Sequence, residues 1–316
     1  MRNKVYDAII IGGGASGMVS AIYAAAAGHS VLVLEQKDKL CKKIYATGNG
    51  KCNFTNKNWE QSYFRGMNPE LAKPVLDAFA LEDTLAFFHS IGIFPKEKNG
   101  YFYPGSEQAA SVAECLCREA DRLGVTCIVG CRVNNVSKET DGLFCAFTEQ
   151  GMFYGKKMVL ATGGKASPVH GSDGSGYQLA KAMGHRIVPV VPALVQMKCR
   201  EDYFKMVSGV RTDARLQVLD GGKAVVSERG ELQLTDYGIS GIAVFQLSGF
   251  LKRVNQASIV LDLFPQWSEE ELCAHLMEKG RLFAESDVYG LMTGLVHHRV
   301  GLAVWKAANL GKDERK

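Results

Sequence analysis

The chain has 316 residues, 47% of them hydrophobic, and a formal net charge of +4. Its length suits two domains, or one large domain carrying an insertion, and its apolar content is ordinary for a globular core. So small a charge gives no global field for a nucleic-acid backbone, and the basic cluster Lys37, Lys39, Lys42 and Lys43 is local, interrupted by Asp38, and fits a local phosphate site or a solvated loop.

The first predicted element is an apolar strand, Tyr6 to Ile11, that runs into Gly12-Gly13-Gly14-Ala15-Ser16-Gly17. An alanine-rich helix carries on to Ala27, a second apolar strand spans Ser30 to Leu34, and Glu35 closes it. This order is that of a dinucleotide-binding βαβ unit. Gly12 permits the tight turn, Gly14 lets a pyrophosphate approach the backbone, and Gly17 lets the helix lie close on the sheet. The helix N-terminus offers unpaired N–H groups to phosphate charge. Glu35 stands about 20 residues on, where a carboxylate accepts hydrogen bonds from the adenosine ribose.

Cys41 to Asn56 follows as a polar, glycine-broken loop, expected to serve a site rather than a core. Asn68 to Ile91 reads as one helix, with Leu81, Leu85 and Phe88 on a stripe. Ser106 to Leu123 reads as another, with Ser106 as N-cap and Gly124 as its stop. Val125 to Gly155 alternates around turns at Asp141-Gly142 and Gln150-Gly151, which predicts a small antiparallel meander. Val159 to Thr162 reads as a further buried strand ending at Gly163-Gly164, and Gly174 to Met183 as a helix. From Ile187 the pattern changes to short strands: Ile187 to Met197, Ala214 to Leu219, Lys223 to Val226, Glu231 to Leu234 and Ser258 to Leu261. Helices are expected over Ile239 to Val254, Ser268 to Phe283 and Arg299 to Leu310. The expectation is a first domain over residues 1–186 and a β-rich second domain over 187–316.

No Asp, Glu, Lys or Arg occurs from Ala8 to Leu34, but Gly12, Gly13, Gly14 and Gly17 break that stretch, so it cannot form one spanning helix. Tyr237 to Leu251 is uncharged but short of the ~20 residues a span requires. The chain therefore reads as cytoplasmic, without a membrane partner. Nine cysteines, an odd number without a C-x-x-C spacing, read as reduced thiols and not as a disulfide framework or metal site. His297 and His298 are neighbours that a helix would splay about 100° apart, a poor metal pair. His170 lies on a loop and is weighed as a proton donor against the plainer role of a solvated side chain.

The glycine unit, "KKI..TGNGKCNFTN", "YPGSEQAASV", "LATGGKASP", "GSDGSGYQLAKAMGH", "PALV" and "TDYGISG" together resemble one family. It is that of the bacterial aminoacetone-oxidase-like FAD-binding flavoproteins, a group that includes a bile-acid 4,6-reductase. The resemblance runs from Ile9 to about Val300 in matching order. More distantly, "ATGG" and "GSDGSGY" are similar to two-dinucleotide-fold flavoproteins, fumarate reductases among them. The fold implied is α/β: a Rossmann-like FAD-binding domain with an inserted β-rich α+β domain.

Carried over by residue, the resemblance places Gly12, Gly14, Ala15, Ser16 and Gly17 on the pyrophosphate of FAD, Glu35 on the ribose, and Lys43 near the ribose and phosphates. Thr47, Gly48, Asn49, Gly50, Lys51, Cys52 and Asn53 would run alongside the isoalloxazine. Val133 would sit by the adenine, and Ala161, Thr162 and Gly163 under the diphosphate. Asp173, Gly174 and Gly176 would belong to a loop that caps the flavin. Three departures stand out: Cys41 where the family usually has glycine, Lys51 where arginine is common, and, within residues 187–316, no "GE.LD..G..GGYN"-like segment of the kind that closes over the flavin's pyrimidine edge. An open flavin site with exposed apolar surface is the expectation from the last.

The activity implied is hydride transfer through flavin N5 to a small-molecule substrate, with reduction of an activated carbon–carbon double bond and NAD(P)H as electron source. Amine oxidation is the alternative among enzymes. A non-catalytic remnant with weak dinucleotide affinity is the alternative outside them.

Overall fold

A computed structural model describes residues 4–66, 68–282 and 288–308. By its contacts the chain divides into two compact units, residues 1–188 and 189–316.

The first unit opens with β1 (Val5–Ile11), α1 (Ala15–Ala26) and β2 (Val31–Leu34). Then come β3 (Thr55–Asn56), α2 (Ala72–Ala78), α3 (Leu81–Ser90), β4 (Pro95–Lys98), β5 (Tyr101–Pro104) and α4 (Ala109–Arg122). It closes with β6 (Thr126–Ile128), β7 (Val133–Lys138), β8 (Phe144–Thr148), β9 (Gly151–Leu160) and α5 (Ser175–Ala182). The main sheet has six strands in the order β6-β2-β1-β9-β8-β7. Four of them run parallel from β6 to β9, and β9, β8 and β7 form an antiparallel meander.

The uninterrupted apolar runs of β1 and β2 follow from cover on both faces. Alternate residues sort by side: Ile10, Val31 and Val33 join a core with Met18 of α1 and Leu116 of α4. Ile9, Ile11, Leu32 and Leu34 join the opposite core with Val133, Val136 and Leu179. In α4 the buried residues Ala109, Val112, Ala113, Leu116 and Ala120 recur at three and four, so one stripe packs and the other faces solvent. Each such fully buried Leu or Val contributes about 1.5–3 kcal/mol.

Several elements differ from the sequence reading. The helix expected over 68–91 is two: Phe79 leaves helical geometry, and Asp83 accepts the Ala80 N–H at 2.8 Å to start α3 afresh. Ser106 is not the cap of α4, because Glu107 adopts φ +51°, which no helix can continue through; Ser106 Oγ instead accepts from Gln108 N–H at 3.3 Å. The meander is not a separate sheet: β9 runs on to Leu160 and pairs with β1, so the strand expected at Val159–Thr162 is its end. A hairpin of β4 and β5, with β3 beside it, forms a three-stranded sheet that the periodicity does not announce.

The second unit contains β10 (Met197–Lys198), α6 (Phe204–Val207), β11 (Arg211–Asp220), β12 (Lys223–Thr235), β13 (Gly238–Ser240), α7 (Ile242–Ser248), β14 (Ala257–Asp262), α8 (Glu269–Leu282), α9 (Val288–Met292) and α10 (His298–Ala307). Its antiparallel sheet has the order β10-β13-β12-β11-β14. Ala214, Leu216 and Val218 alternate inward from β11 onto Leu232, Leu234, Val244 and Leu247. Gly221 and Gly222, both at positive φ, make the two-residue β11–β12 turn. The strands expected at 223–226 and 231–234 are one continuous β12. Of Ile187–Met197 only Met197 is in a strand, since Pro189 and Pro192 lack the N–H a ladder needs. The helix expected from Ile239 starts at Ile242, because Ile239 pairs in β13 and Gly241 takes φ +118°. Phe283, Leu310 and the residue before it, at the ends of expected helices, lie outside the described residues.

Candidate functional site: a dinucleotide cleft

The carboxyl ends of three parallel neighbours, β1, β2 and β9, meet around a cleft of about 320 Å³, the edge at which open α/β sheets bind ligands. Gly12, Gly14, Ala15, Ser16, Glu35, Lys43, Thr47, Val133, Ala161, Thr162 and Gly163 all line it.

The glycines divide by what surrounds them. At Gly12, φ is +108° and a Cβ would fall 2.5 Å from the Ala161 carbonyl oxygen. At Gly17 a Cβ would lie 1.9 Å from the Gly12 carbonyl oxygen, so helix–strand packing leaves no room for a side chain. At Gly14 a Cβ would meet nothing within 4 Å: the space before the helix is open and faces the cleft. Gly14 is the N-cap of α1, no side chain caps that end, and no acid occupies the first turn. An uncapped N-terminus beside an open volume has free N–H groups that can donate to phosphate oxygens.

Glu35 is 9% exposed and held on both oxygens. Gly13 N–H donates to Oε2 and Lys37 N–H to Oε1, each at 2.7 Å. An ionised carboxylate has about four acceptor positions, so two remain for the hydroxyls of a ribose in the cleft. Lys42, Lys43 and Arg132 bring ammonium and guanidinium groups to the same lining, where Glu35 is the one carboxylate; Lys42 is paired with Asp38 at 2.7 Å and Arg132 with Asp173 at 3.1 Å just off it, which leaves Lys43 without a carboxylate partner among the described residues.

The far wall is tied across long stretches of chain. Lys43 Nζ donates to the Ala166 carbonyl at 2.9 Å and to Ser172 Oγ at 3.3 Å, and Gln36 Nε2 donates to the Gly171 carbonyl at 2.7 Å. Arg132 reaches Gln36 Oε1 at 2.8 Å and Asp173 Oδ2 at 3.1 Å. His170 lines the cleft with Nδ1 at 2.7 Å from Ser167 Oγ, and Ser167 sits at φ +81°.

Other expected residues lie beside the cleft and not on it. Asp173 accepts the Ser175 N–H at 2.9 Å at the start of α5. Burial pushes its carboxyl up, but the hydrogen bonds from Ser175 and the Arg132 pair outweigh that and bring it to about 2. Gly174 takes φ +85° before α5, and Gly176 packs against Thr162, whose Oγ1 would be 1.8 Å from a Cβ there. Gly48, Asn49, Gly50, Lys51, Cys52 and Asn53 continue from Thr47 away from the lining. Gly48, Asn49, Gly50 and Cys52 all have positive φ, and Asn53 Nδ2 donates to the Thr55 and Phe102 carbonyls. Cys41, at the position where the resembled family has glycine, has φ +58°, the left-handed region in which glycine is at ease. Sequence reasoning missed Gln36, Arg132, Ser172 and Ser175 on the lining; Lys42 belongs to the basic cluster read as a local phosphate site or a solvated loop. Ser172 and Ser175 lie within the "GSDGSGY" motif, whereas Gln36 and Arg132 carry no local signal beyond adjacency to Glu35 and Val133.

No helix among the described residues is long and apolar enough to cross a membrane. The HI0933-like Rossmann domain matches residues 6–248, and the family's barrel and H2TH domain matches residues 191–316. The chain is 49% identical over 241 residues to a 3-dehydro-bile acid Δ(4,6)-reductase of Clostridium scindens, across 76% of this chain and 59% of that protein. It is 30% identical over 268 residues to a ribosomal RNA dihydrouridine synthase of Haemophilus influenzae, across 83% of this chain and 65% of that one. It thus spans about three fifths of the length of these curated relatives. A flavocytochrome c3 fumarate reductase shares the fold at a TM-score of 0.50 and 15% identity, over 67% of this chain and 47% of that one. With a match over most of its length, this chain belongs to the HI0933-like family.

Proposed function

We propose that the chain is a flavin-dependent reductase that saturates a carbon–carbon double bond conjugated to a carbonyl in a small molecule. The observation that carries this is the cleft itself: an open Gly14 cradle at an uncapped helix end, facing a carboxylate that two backbone N–H groups hold in place. FAD, when bound, supplies the hydride chemistry. The N–H groups at the start of α1 and the side chains of Lys42, Lys43 and Arg132 receive the diphosphate. Glu35 takes the ribose hydroxyls, and Val133 borders the adenine.

The two kinds of curated relative support the substrate bond. One is named as a reductase of a 3-dehydro-bile acid at its Δ(4,6) bonds and the other as a synthase of dihydrouridine in ribosomal RNA, so both names point to a ring carbon–carbon double bond, the first in a small molecule. The net reaction takes a hydride from NAD(P)H and a proton from solvent, converts C=C to CH–CH, and releases NAD(P)⁺.

The test is reconstitution with FAD, followed by anaerobic NADH or NADPH oxidation against a 3-oxo-4-ene steroid acid. The expected result is a flavin absorbance band on the purified protein and stoichiometric loss of the enone absorbance. A yellow protein that instead releases ammonia from amines would establish amine oxidation, and a colourless one the non-catalytic remnant.

A further inference from the structure

A second cavity, about 160 Å³, lies in the first unit apart from the dinucleotide cleft and is lined by Lys51, Lys96, Lys98, Tyr101, Tyr103 and Glu107. The hairpin builds it by strand alternation. Lys96 faces Tyr103 and Lys98 faces Tyr101 across β4 and β5, so two lysines and two tyrosines share one face. The intervening Glu97 takes the other parity and pairs with Lys57 at 3.2 Å. Three lysines and a single carboxylate thus line the one cavity.

That carboxylate is Glu107. It pairs with Lys51 at 3.1 Å and more closely with Lys96, and these lysines hold its carboxyl down at about 2. Lys98 has no ion-pair partner among the described residues. Glu107 also sits at φ +51°, a conformation that favours glycine, so a residue poorly suited to the backbone there delivers a carboxylate between two lysines.

The cavity adjoins the loop that leaves the dinucleotide cleft. Thr47 lines the cleft, a Cβ on Gly48 would lie 3.9 Å from Tyr103 Cε1, and Lys51 lines the cavity. One short loop therefore has an end on each.

We propose that this cavity receives the anionic group, a carboxylate or a phosphate, of the small molecule to be reduced, with Glu107 occupying the place of that group in its absence. The proposal rests on the reductase reading for what the ligand is, but not for its charge. The lysines supply attraction, and the tyrosines supply ring faces and O–H donors for the part of the ligand next to the charge. An arriving anion competes with Glu107 for Lys51 and Lys96 and adds Lys98.

The experiment is a calorimetric titration without turnover, using cholate in one arm and uridine 5′-monophosphate in the other, with cholate methyl ester and uridine as neutral controls. Lys98→Gln should weaken binding of the anion about threefold, and the Lys96→Gln/Lys98→Gln pair about tenfold, with both effects shrinking at high salt. Glu107→Gln should tighten it about threefold by removing the competitor. Binding of cholate alone assigns a carboxylate, of the nucleotide alone a phosphate, and of both the shared anion chemistry. Neutral controls that bind as well as the anions, no binding in either arm, or a Glu107→Gln variant that weakens binding while its melting temperature is unchanged, would overturn the proposal. Flavin occupancy is read from the absorbance of the same samples. A flavin-free protein that still binds the anion through Lys96 and Lys98 would sink the reductase reading alone.

Discussion

Two residues of the cleft carry opposite kinds of constraint. Glu35 is constrained by what it accepts: both oxygens take backbone N–H groups, so Glu35→Ala removes the proposed ribose acceptor and also strands the Gly13 N–H in a buried position. The expected loss of FAD affinity is about 1.5–3 kcal/mol, with a fall in the melting temperature of the flavin-free protein as well. Glu35→Gln should do little better in the flavin-free protein, since its NH₂ would face one of two donors. Fluorescence titration with FAD and thermal melts without it separate the two losses. Gly14 is constrained only by what is to come. Gly14→Ala should leave the melting temperature unchanged and weaken FAD binding at least tenfold, because its methyl group enters the open space proposed for the phosphate. Gly17→Ala should lower the melting temperature without any ligand, since its Cβ collides with backbone. Equal stability losses in the two variants would mean that Gly14 is structural and the cradle is not a phosphate seat.

At the level of elements, α5 is pinned at its start by Asp173, which Ser175 and Arg132 keep ionised well below the usual carboxylate range. The folded value, about 2, lies below the ordinary one, so the stability it contributes is complete above about pH 4 and lost as pH falls towards 2. Amide exchange in Ser175–Ala182 should therefore accelerate across that window, and Asp173→Asn should make it fast and flat with pH there. An unchanged profile in the variant would show that the Asp173 carboxylate does not hold the helix. The sequence made such short-range devices legible. The βαβ turn, Glu35 and α4 all follow from spacing within a few turns of chain, and Gly124 at φ +74° ends α4 where a glycine stop is expected. What escaped is set by partners far away. Arg132 reaches Gln36, and Lys43 reaches Ser172, only because parallel pairing brings distant loops to one sheet edge. β12 hid for another reason: Glu228, Arg229 and Gly230 interrupt its apolar pattern but pair in register with β11 all the same. The broken helix at Phe79–Ala80 needed one carboxylate, Asp83, to be read as a cap when no Ser, Thr, Asp or Asn stood at the cap itself.

For the whole molecule, each unit has its own core: Ile10, Met18 and Leu116 in the first, and Leu216, Leu232 and Leu247 in the second. FAD bound to the first should raise one calorimetric transition by an amount set by linkage, about 2.7 kcal/mol at a hundred times Kd, and leave another in place. A single transition that moves as a block would show the two cores to unfold together. The sheet topology also sets a timetable for synthesis. Ile9 pairs with Leu32 on one side and with Met158 on the other, so the first strand of this sheet to be made is flanked on both sides only when the sheet's last strand arrives. At ordinary elongation rates the ribosome needs on the order of ten seconds to supply that second neighbour. Until it emerges, three consecutive isoleucines, Ile9, Ile10 and Ile11, stand on an open strand edge, a template for pairing with other chains. Nascent chains stalled before Leu160 should accordingly be captured by chaperones and digested quickly, and those stalled some tens of residues beyond it should resist protease, which makes the close of β9 the step that commits the first unit to its fold.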